Sequence, residues 1–390
     1  MNIIYSSFLC SRRLLQVFFE KGNKKPLYSV QKFHRLLASG LVENGAVIDT
    51  VTTMPYPKGI YGKRITEPDE VEDGINYHYV RTLDFPVIKR IGQFFSSFVF
   101  TLKWCSKHNN RIAIFDVLNV SACIGGLLAC RLSRTKTLGI VTDIPGMKDD
   151  DNNQSFEHRI NRLIISSFDY YCLLTEQMNE VANRHHRPYI VMEGLVDHLM
   201  EPGLRNPDLS KRILIYAGGL YERYGVKDLI EAYLQISKEY PDTVFHCYGF
   251  GPMSEWIAER AEKNKQLVFY GPRPNEEVVA DELKATLLIN PRPTHEEFTK
   301  YSFPSKNIEY MSSGAAVLTT RLPGMPEEYN NYVFLFNEES VSGYEGKLRQ
   351  ILEMEVGAVH RKGAEAQQWV LANKNNVVQA KRIIELAIKQ

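Results

Sequence analysis

Between Asn290 and Met325 the chain reads Asn290-Pro291-Arg292-Pro293, then an acidic loop, then Ser302-Phe303-Pro304-Ser305-Lys306-Asn307-Ile308-Glu309-Tyr310-Met311-Ser312-Ser313-Gly314, and finally an apolar run from Ala315. Pro304 suits the first turn of a helix, Ser305 offers a hydroxyl, and Lys306 puts an ammonium near the amino end of that helix. A cation there opposes the helix dipole unless an anion is bound, which makes Lys306 the sharpest electrostatic signal in the chain. Glu309 follows three residues later on the same helix face. The two can form an ordinary surface pair. As a functional pair, Lys306 would hold a phosphate while Glu309 accepts hydrogen bonds from two sugar hydroxyls, as a ribose provides.

Three glycine turns precede this stretch, each at the end of an apolar run: Tyr216-Ala217-Gly218-Gly219-Leu220, leading to Arg223; Tyr248-Gly249-Phe250-Gly251-Pro252; and Tyr270-Gly271-Pro272-Arg273-Pro274. Glycine lets a backbone approach a ligand, and Arg223 stands just before a helix start that favours an anion, so a phosphate is the natural guess. Any one turn is equally well a tight strand-to-helix connection with a solvated Arg. Three at successive strand ends of one sheet edge carry more weight.

Strands and helices alternate throughout, so these turns belong to a mostly parallel sheet covered on both faces. In the first half, strands are expected at Ile3 to Tyr5, Ala46 to Val51, Tyr77 to Arg81, Ile112 to Asp116, Thr137 to Thr142, Tyr170 to Leu174 and Tyr189 to Met192. Helices fall between them, including Ser29 to Glu43, Val87 to Lys107 and Ala122 to Leu132. A run rich in helix and strand breakers, Glu201 to Asp208, marks a domain boundary. The alternation then restarts at Ile213 and ends on a helix from Gln367. This gives domains 1–203 and 204–366, and a final helix over 367–390. Two doubly wound domains make a cleft between their strand ends, where ligands bind.

The 390 residues fit two domains. Charge is balanced at 47 Lys and Arg against 46 Asp and Glu, which removes any global case for nucleic acid. The six cysteines have neither metal-ligand nor paired spacing and mostly sit in apolar runs, as core residues do in a reducing compartment. The expected location is the cytoplasm, with peripheral contact at the inner face of a membrane as an open option. No targeting segment is expected before the first strand, and the longest apolar candidate, Phe94 to Trp104, is too short to span a bilayer.

From Ile213 to Glu327 these residues resemble the retaining glycosyltransferases of family 4, in a branch with Pro-Ser-Lys at this place. That family has the α/β GT-B architecture, two Rossmann-like domains facing across a cleft. The resemblance is specific in the second half and weak in the first. It implies a nucleotide-sugar donor, UDP- or GDP-linked, bound in the second domain by Gly218, Gly219, Gly249, Phe250, Gly251, Arg273, Ser305, Lys306 and Glu309. Glu309 matches the second glutamate of the family's Glu-x7-Glu motif, on the donor ribose. Arg223 and Lys306 would neutralise the leaving diphosphate, so no metal and no further cofactor is expected. The helix from Gln367 would cross back to the first domain. Three positions depart from the pattern. The first motif glutamate falls at Tyr301, leaving its role vacant or passed to Glu296 or Glu297; the usual Arg is Gly219; and the phosphate-binding Lys is Tyr224, with Arg223 beside it.

The first domain would bind the acceptor, a saccharide or lipid-linked saccharide. Asp143, at a strand end before Pro145-Gly146, matches residues beside the reacting sugar and could orient an acceptor hydroxyl or bind the donor sugar; it could equally cap the turn. Asn119 stands where the family often carries a histidine, which excludes general-base catalysis by that side chain. The basic and apolar run Arg12 to Lys25, with Arg13, Lys21 and Lys24, suits an anionic lipid-linked acceptor or a helical insertion with a solvated face. Val87 to Lys107 could lie on a membrane or pack its aromatic residues into a core. The expected activity is transfer of a sugar to an acceptor hydroxyl with retention, in cell-surface polysaccharide or glycolipid synthesis. The rival is a catalytically inactive GT-B protein that binds or scaffolds an active transferase, and a third option is a nucleotide-sugar epimerase or hydrolase.

Overall fold

The computed structural model describes residues 1–22, 26–55, 60–144, 156–202, 205–208 and 210–388. Two compact units form: Met1–Leu195 with Asn376–Gln390, and Val196–Asn375. In the first, β1 (Asn2–Ser7), β2 (Val47–Thr52), β4 (Glu70–Glu72), β5 (Ile75–Tyr77), β7 (Arg111–Asp116), β8 (Lys136–Val141), β9 (Tyr170–Leu173) and β10 (Tyr189–Val191) make one sheet, in the order β10-β9-β8-β7-β1-β2-β5-β4. All neighbours are parallel except β4 and β5. A separate two-stranded ribbon pairs β3 (Arg64–Ile65) with β6 (Thr82–Leu83).

The second unit holds β11 (Arg212–Ala217), β12 (Thr243–Tyr248), β13 (Leu267–Gly271), β14 (Leu287–Asn290), β15 (Ala316–Thr319) and β16 (Phe334–Leu335), parallel in the order β13-β12-β11-β14-β15-β16. The run Ile213 to Ala217 is buried without a break, as are Leu287–Asn290 and Ala316–Thr319. Continuous burial, rather than alternation, follows from helices lying on both faces of a parallel sheet. The strand order puts the ends of β11, β12, β13 and β14 side by side.

Several elements differ from what periodicity suggests. Inside the connection after β1 lies a helix, Arg12–Lys21, capped by Ser11 and buried through Leu14 and Phe18. Its arginines are already neutralised: Arg13 lies 2.9 Å from Glu70 and 3.3 Å from Glu67, and Arg12 3.0 Å from Asp73. The helical-insertion alternative is thus the one the structure carries, with both arginines paired on its solvated side; Lys24 and Lys25 lie outside the described residues. The strand expected at Tyr77 to Arg81 starts earlier, as β5, and ends at Tyr77. The breaker-rich stretch is not the point where the units part. Asn206 N and Asp208 N donate to the carbonyls of Leu283 and Lys284 at 3.3 Å, which ties it into the second unit; Gly203 and Leu204 are outside the described residues.

The last helix is two. Val356–Asn373 stays with the second unit and Asn376–Ile388 packs in the first, with the break at Lys374 and Asn375. Lys374 leaves the helical path there to bond Glu328, while its carbonyl accepts from Val196 N at 3.0 Å. Asn376–Ile388 then lies against Tyr28–Glu43, where Asn376 Nδ2 donates to Leu36 O at 3.1 Å and Asn44 Nδ2 to Val377 O at 2.8 Å. The approach is close enough that a Cβ on Gly40 would sit 2.1 Å from the Asn376 carbonyl oxygen. Gly40→Ala gains about 1 kcal/mol of helix propensity but forces this contact apart at a cost of about 1 to 3 kcal/mol. A net loss of stability is therefore expected in urea unfolding of the full chain. Equal or greater stability would contradict the docking of the terminal helix at this point.

Candidate functional site

At the carboxyl ends of β11, β12 and β13 the three glycine turns are laced together by their backbones. Gly218 N donates to Tyr248 O at 3.0 Å, Leu220 N to Phe250 O at 3.1 Å, and Gly249 N to Gly271 O at 3.0 Å. Gly249 is required by close approach, and Gly218 lies directly under the Lys306 ammonium. A Cβ on Gly249, whose φ is +133°, would lie 1.8 Å from the Gly218 carbonyl oxygen, and one on Gly218 would lie 2.4 Å from Lys306 Nζ. The first absence lets the turns bond. The second lets the ammonium rest over the first turn.

The helix Ser305–Ser313 that carries Lys306 is anchored by buried polar contacts. Asn290 Nδ2 donates to Asn307 Oδ1 at 2.8 Å, and Asn307 Nδ2 donates to Thr319 Oγ1 at 3.3 Å, so the ends of β14 and β15 fix the first helical turn. Buried Tyr310 accepts from Ala217 N at 3.1 Å and donates to Ala217 O at 3.3 Å, which fixes the helix to the end of β11. Gly314, in the left-handed region at φ 80°, ends the helix. Such satisfied buried networks specify one geometry. Ser305 and Glu309 are left on the exposed side.

The site's charge is concentrated in three cations. Burial lowers the pKa of Lys306 to about 8; Glu282 and Glu309 work against this, and Arg292 adds to it. Its ammonium lies 5.7 Å from the centre of the Tyr216 ring, whose hydroxyl donates to Gly219 O at 2.8 Å. Arg292 follows β14 directly, half-buried, with its guanidinium 5.1 Å from the Tyr224 ring centre and 5.6 Å from that of Phe298. Burial depresses its pKa, Tyr224 and Tyr216 oppose the shift, and Arg223 reinforces it. Arg223 is exposed, 5.5 Å and 5.4 Å from the rings of Tyr221 and Tyr224. Among the described residues none of the three stands within ion-pair distance of a carboxylate. Partly desolvated cations that disfavour one another's charge are relieved by an anion placed between them.

The departures at Gly219 and Tyr224 have a steric account. A Cβ on Gly219 would stand 3.2 Å from the rings of Tyr221 and Tyr224, tight enough that a longer side chain there needs those rings to give, and Arg292 lies on the Tyr224 ring from the β14 side. Sequence reasoning passed over Arg292. The signal was present: a strand end, a proline and an arginine, the same order that singled out Gly271-Pro272-Arg273. Arg273 itself is exposed at the end of β13, beyond the stacked rings of Tyr248 and Tyr270, whose centres are 4.6 Å apart. Phe250 is exposed at the second turn, and Gly251 lies against the Leu220 carbonyl, 2.4 Å from where its Cβ would be. Tyr301 sits half-buried in the short helical turn Glu297–Tyr301; Glu297 is exposed, and Glu296 lies 3.8 Å from His295.

Asp143 belongs to the first unit, after the end of β8, where its Oδ1 accepts from Ile144 N at 3.0 Å; Pro145 and Gly146 are outside the described residues. Asn119 is buried at the end of β7 and donates to Ser7 O at 3.3 Å. Beneath it, Tyr5, His34 and Asp116 form a buried chain, with His34 2.6 Å from the Tyr5 hydroxyl and 3.2 Å from Asp116.

Residues 205–369 match the model of a family described as glycosyl transferases group 1. No curated protein matches the chain. Among solved structures, it is similar to the sucrose-phosphate synthase of Thermosynechococcus elongatus at 14% identity, with a TM-score of 0.65 over 100% of this chain and 98% of the other. It is similar to HepE of Anabaena, in complex with UDP and glucose, at 12% identity and a TM-score of 0.61 over 100% of both. An E. coli structure described as trehalose-6-phosphate, bound with UDP-2-fluoro glucose, shares 9% identity and a TM-score of 0.65 over 100% of this chain and 99% of the other. These likenesses are of fold, and the fold is GT-B: two α/β units, each on a parallel sheet.

The lowered pKa of Lys306 sets a pH dependence. Below about 8 the unliganded side chain carries its charge; above it the charge is lost, and an anion that needs it binds about tenfold more weakly per pH unit. UDP, whose phosphates stay ionised over this range, should follow that profile in titrations from pH 7 upward. Lys306→Arg should flatten it. A flat profile in the unmodified protein would remove Lys306 from the anion site.

Proposed function

We propose that the protein moves a sugar from a nucleoside diphosphate to the hydroxyl of a saccharide or lipid-linked saccharide, with retention, in polysaccharide or glycolipid synthesis. The observation that carries the reading is the pair Lys306 and Arg292, two half-buried cations without a carboxylate partner among the described residues, beside the laced glycine turns. The family match over 205–369 supports it, since it covers every residue of this cluster.

In this reading Lys306 and Arg292 hold the diphosphate, Ser305 and the open end of its helix add hydrogen bonds, and Glu309 receives the ribose hydroxyls. The turns at Gly218, Gly219, Gly249, Phe250 and Gly251 bring backbone to the donor, and Arg273 borders the same edge. Asp143, carried by the first unit, orients the acceptor hydroxyl. The acceptor oxygen bonds to the anomeric carbon on the face that the diphosphate leaves; the bond to the diphosphate breaks, and the departing oxygen takes the acceptor proton. Negative charge grows on that oxygen in the transition state, where fixed cations in a partly dry site stabilise it most. Two side-chain cations supply what a divalent metal supplies elsewhere, so none is required. Arg223, more exposed than Arg292, is assigned the outer edge of the same field.

The test is binding. At about 100 times its dissociation constant, the right nucleotide among UDP, GDP, ADP and CMP should add about 2.7 kcal/mol of stability, read as a thermal shift. Lys306→Ala and Arg292→Ala should each weaken it by about 2 to 3 kcal/mol, the worth of a charge-assisted contact, and Glu309→Ala by about 1 kcal/mol or more. No shift with any nucleotide would favour the scaffold reading, for which Tyr301 in place of a glutamate speaks. Unchanged affinity in all three variants would remove the donor site from this cluster.

A further inference from the structure

The helix Pro86–Lys107 of the first unit is apolar on two sides, and among the described residues only one is packed under protein. Ser97, Thr101, Trp104 and Cys105 are buried, Phe94 and Phe98 stack at 6.4 Å, and Gly125 of the helix Val120–Leu132 passes so close that its Cβ would lie 2.2 Å from the Phe94 carbonyl oxygen. The opposite side is bare. Val87, Ile88, Ile91, Phe95 and Val99 are 69%, 48%, 50%, 58% and 45% exposed, and Leu83 and Phe85 extend the patch past the helix start. Positions 88, 91, 95 and 99 follow helical spacing and form one ridge. Core packing therefore accounts for Phe94, Phe98 and Trp104 but not for this ridge. Exposed apolar surface on this scale marks an interaction site.

Charge identifies what covers it. The helix holds Lys89, Arg90, Lys103 and Lys107 and not one Asp or Glu. Lys103 and Lys107 continue the ridge at four-residue steps from Val99, both exposed. Exposed Lys63, Arg64 and Arg81 lie on or beside the β3–β6 ribbon, which packs on this helix, and the nearby Asp84 is 3.7 Å from Lys89. A second copy of this chain would set two such helices face to face, like charge against like charge with no carboxylate on the helix to pair. No helix among the described residues is long and apolar enough to cross a membrane. We propose that this face docks on an anionic phospholipid bilayer: Ile88, Ile91, Phe95 and Val99 enter the headgroup boundary while Lys103 and Lys107 meet lipid phosphates. The inference does not depend on the nucleotide reading.

Sedimentation of the full chain with vesicles tests it, using phosphatidylcholine alone and phosphatidylcholine with phosphatidylglycerol at about one third of the lipid. Binding to the anionic vesicles should be at least about tenfold tighter and should weaken as salt rises. Ile91→Asp with Phe95→Asp should abolish it. Lys103→Glu with Lys107→Glu, two exposed changes that leave the fold alone, should lower it about tenfold or more while the melting temperature stays unchanged. Equal binding to both vesicle types, or an undiminished signal in both double variants, would overturn the proposal. So would vesicle-free self-association that the Ile91 and Phe95 changes abolish, because the face would then belong to a second copy.

Discussion

In the second unit, two cations that repel one another are held at the end of one strand and the start of the next helix. Lys306 opposes the dipole of its own helix, loses hydration on burial, and lies in the field of Arg292. Each effect is unfavourable in the empty protein. They persist because the surroundings over-determine the geometry: Asn307 bonds the ends of β14 and β15, Tyr310 bonds the end of β11, and the Lys306 ammonium lies over Gly218. The laced turns hold that floor level. Desolvation is the largest of these effects, Glu282 and Glu309 partly offset it, and a half-buried cation held in this way is complementary to an anion.

Much of this was legible in the sequence, and the failures have particular causes. Strand ends, glycine turns and the Pro-Ser-Lys helix start could be read because each depends on local chemistry: φ, capping, and a charge near a helix end. Arg292 could not be ranked above Arg223 that way. Both follow strand β11 or β14 closely, and only the packing of Tyr221, Tyr224 and Phe298 decides which guanidinium is half-buried beside Lys306. The Gly219 departure likewise looked like a lost charge, whereas in the fold that position is crowded by the rings of Tyr221 and Tyr224 at 3.2 Å.

The same limit governs the longer elements. A continuous helical pattern runs through Lys374, yet the chain breaks there because Lys374 and Asn375 are committed to Glu328 and Val196, partners far away in sequence. The arginines at 12 and 13 looked like ligands for an anion until the acids that neutralise them, Glu67, Glu70 and Asp73, were placed beside them. In Pro86–Lys107 apolar residues occur on both faces, so periodicity identifies a helix without saying which side is inside. Exposure then divides Phe94 and Phe98 from Phe95. The second unit thus carries a cluster of half-buried cations beside its glycine turns, and the first carries a basic, apolar helix face.

The most direct measurement is a crystal structure with UDP or GDP bound. Diphosphate oxygens should lie within about 3 Å of Lys306 Nζ and of the Arg292 guanidinium, with the ribose hydroxyls on Glu309. A diphosphate held by Arg223 or Arg273, with Lys306 and Arg292 still lacking an anionic partner, would contradict that placement.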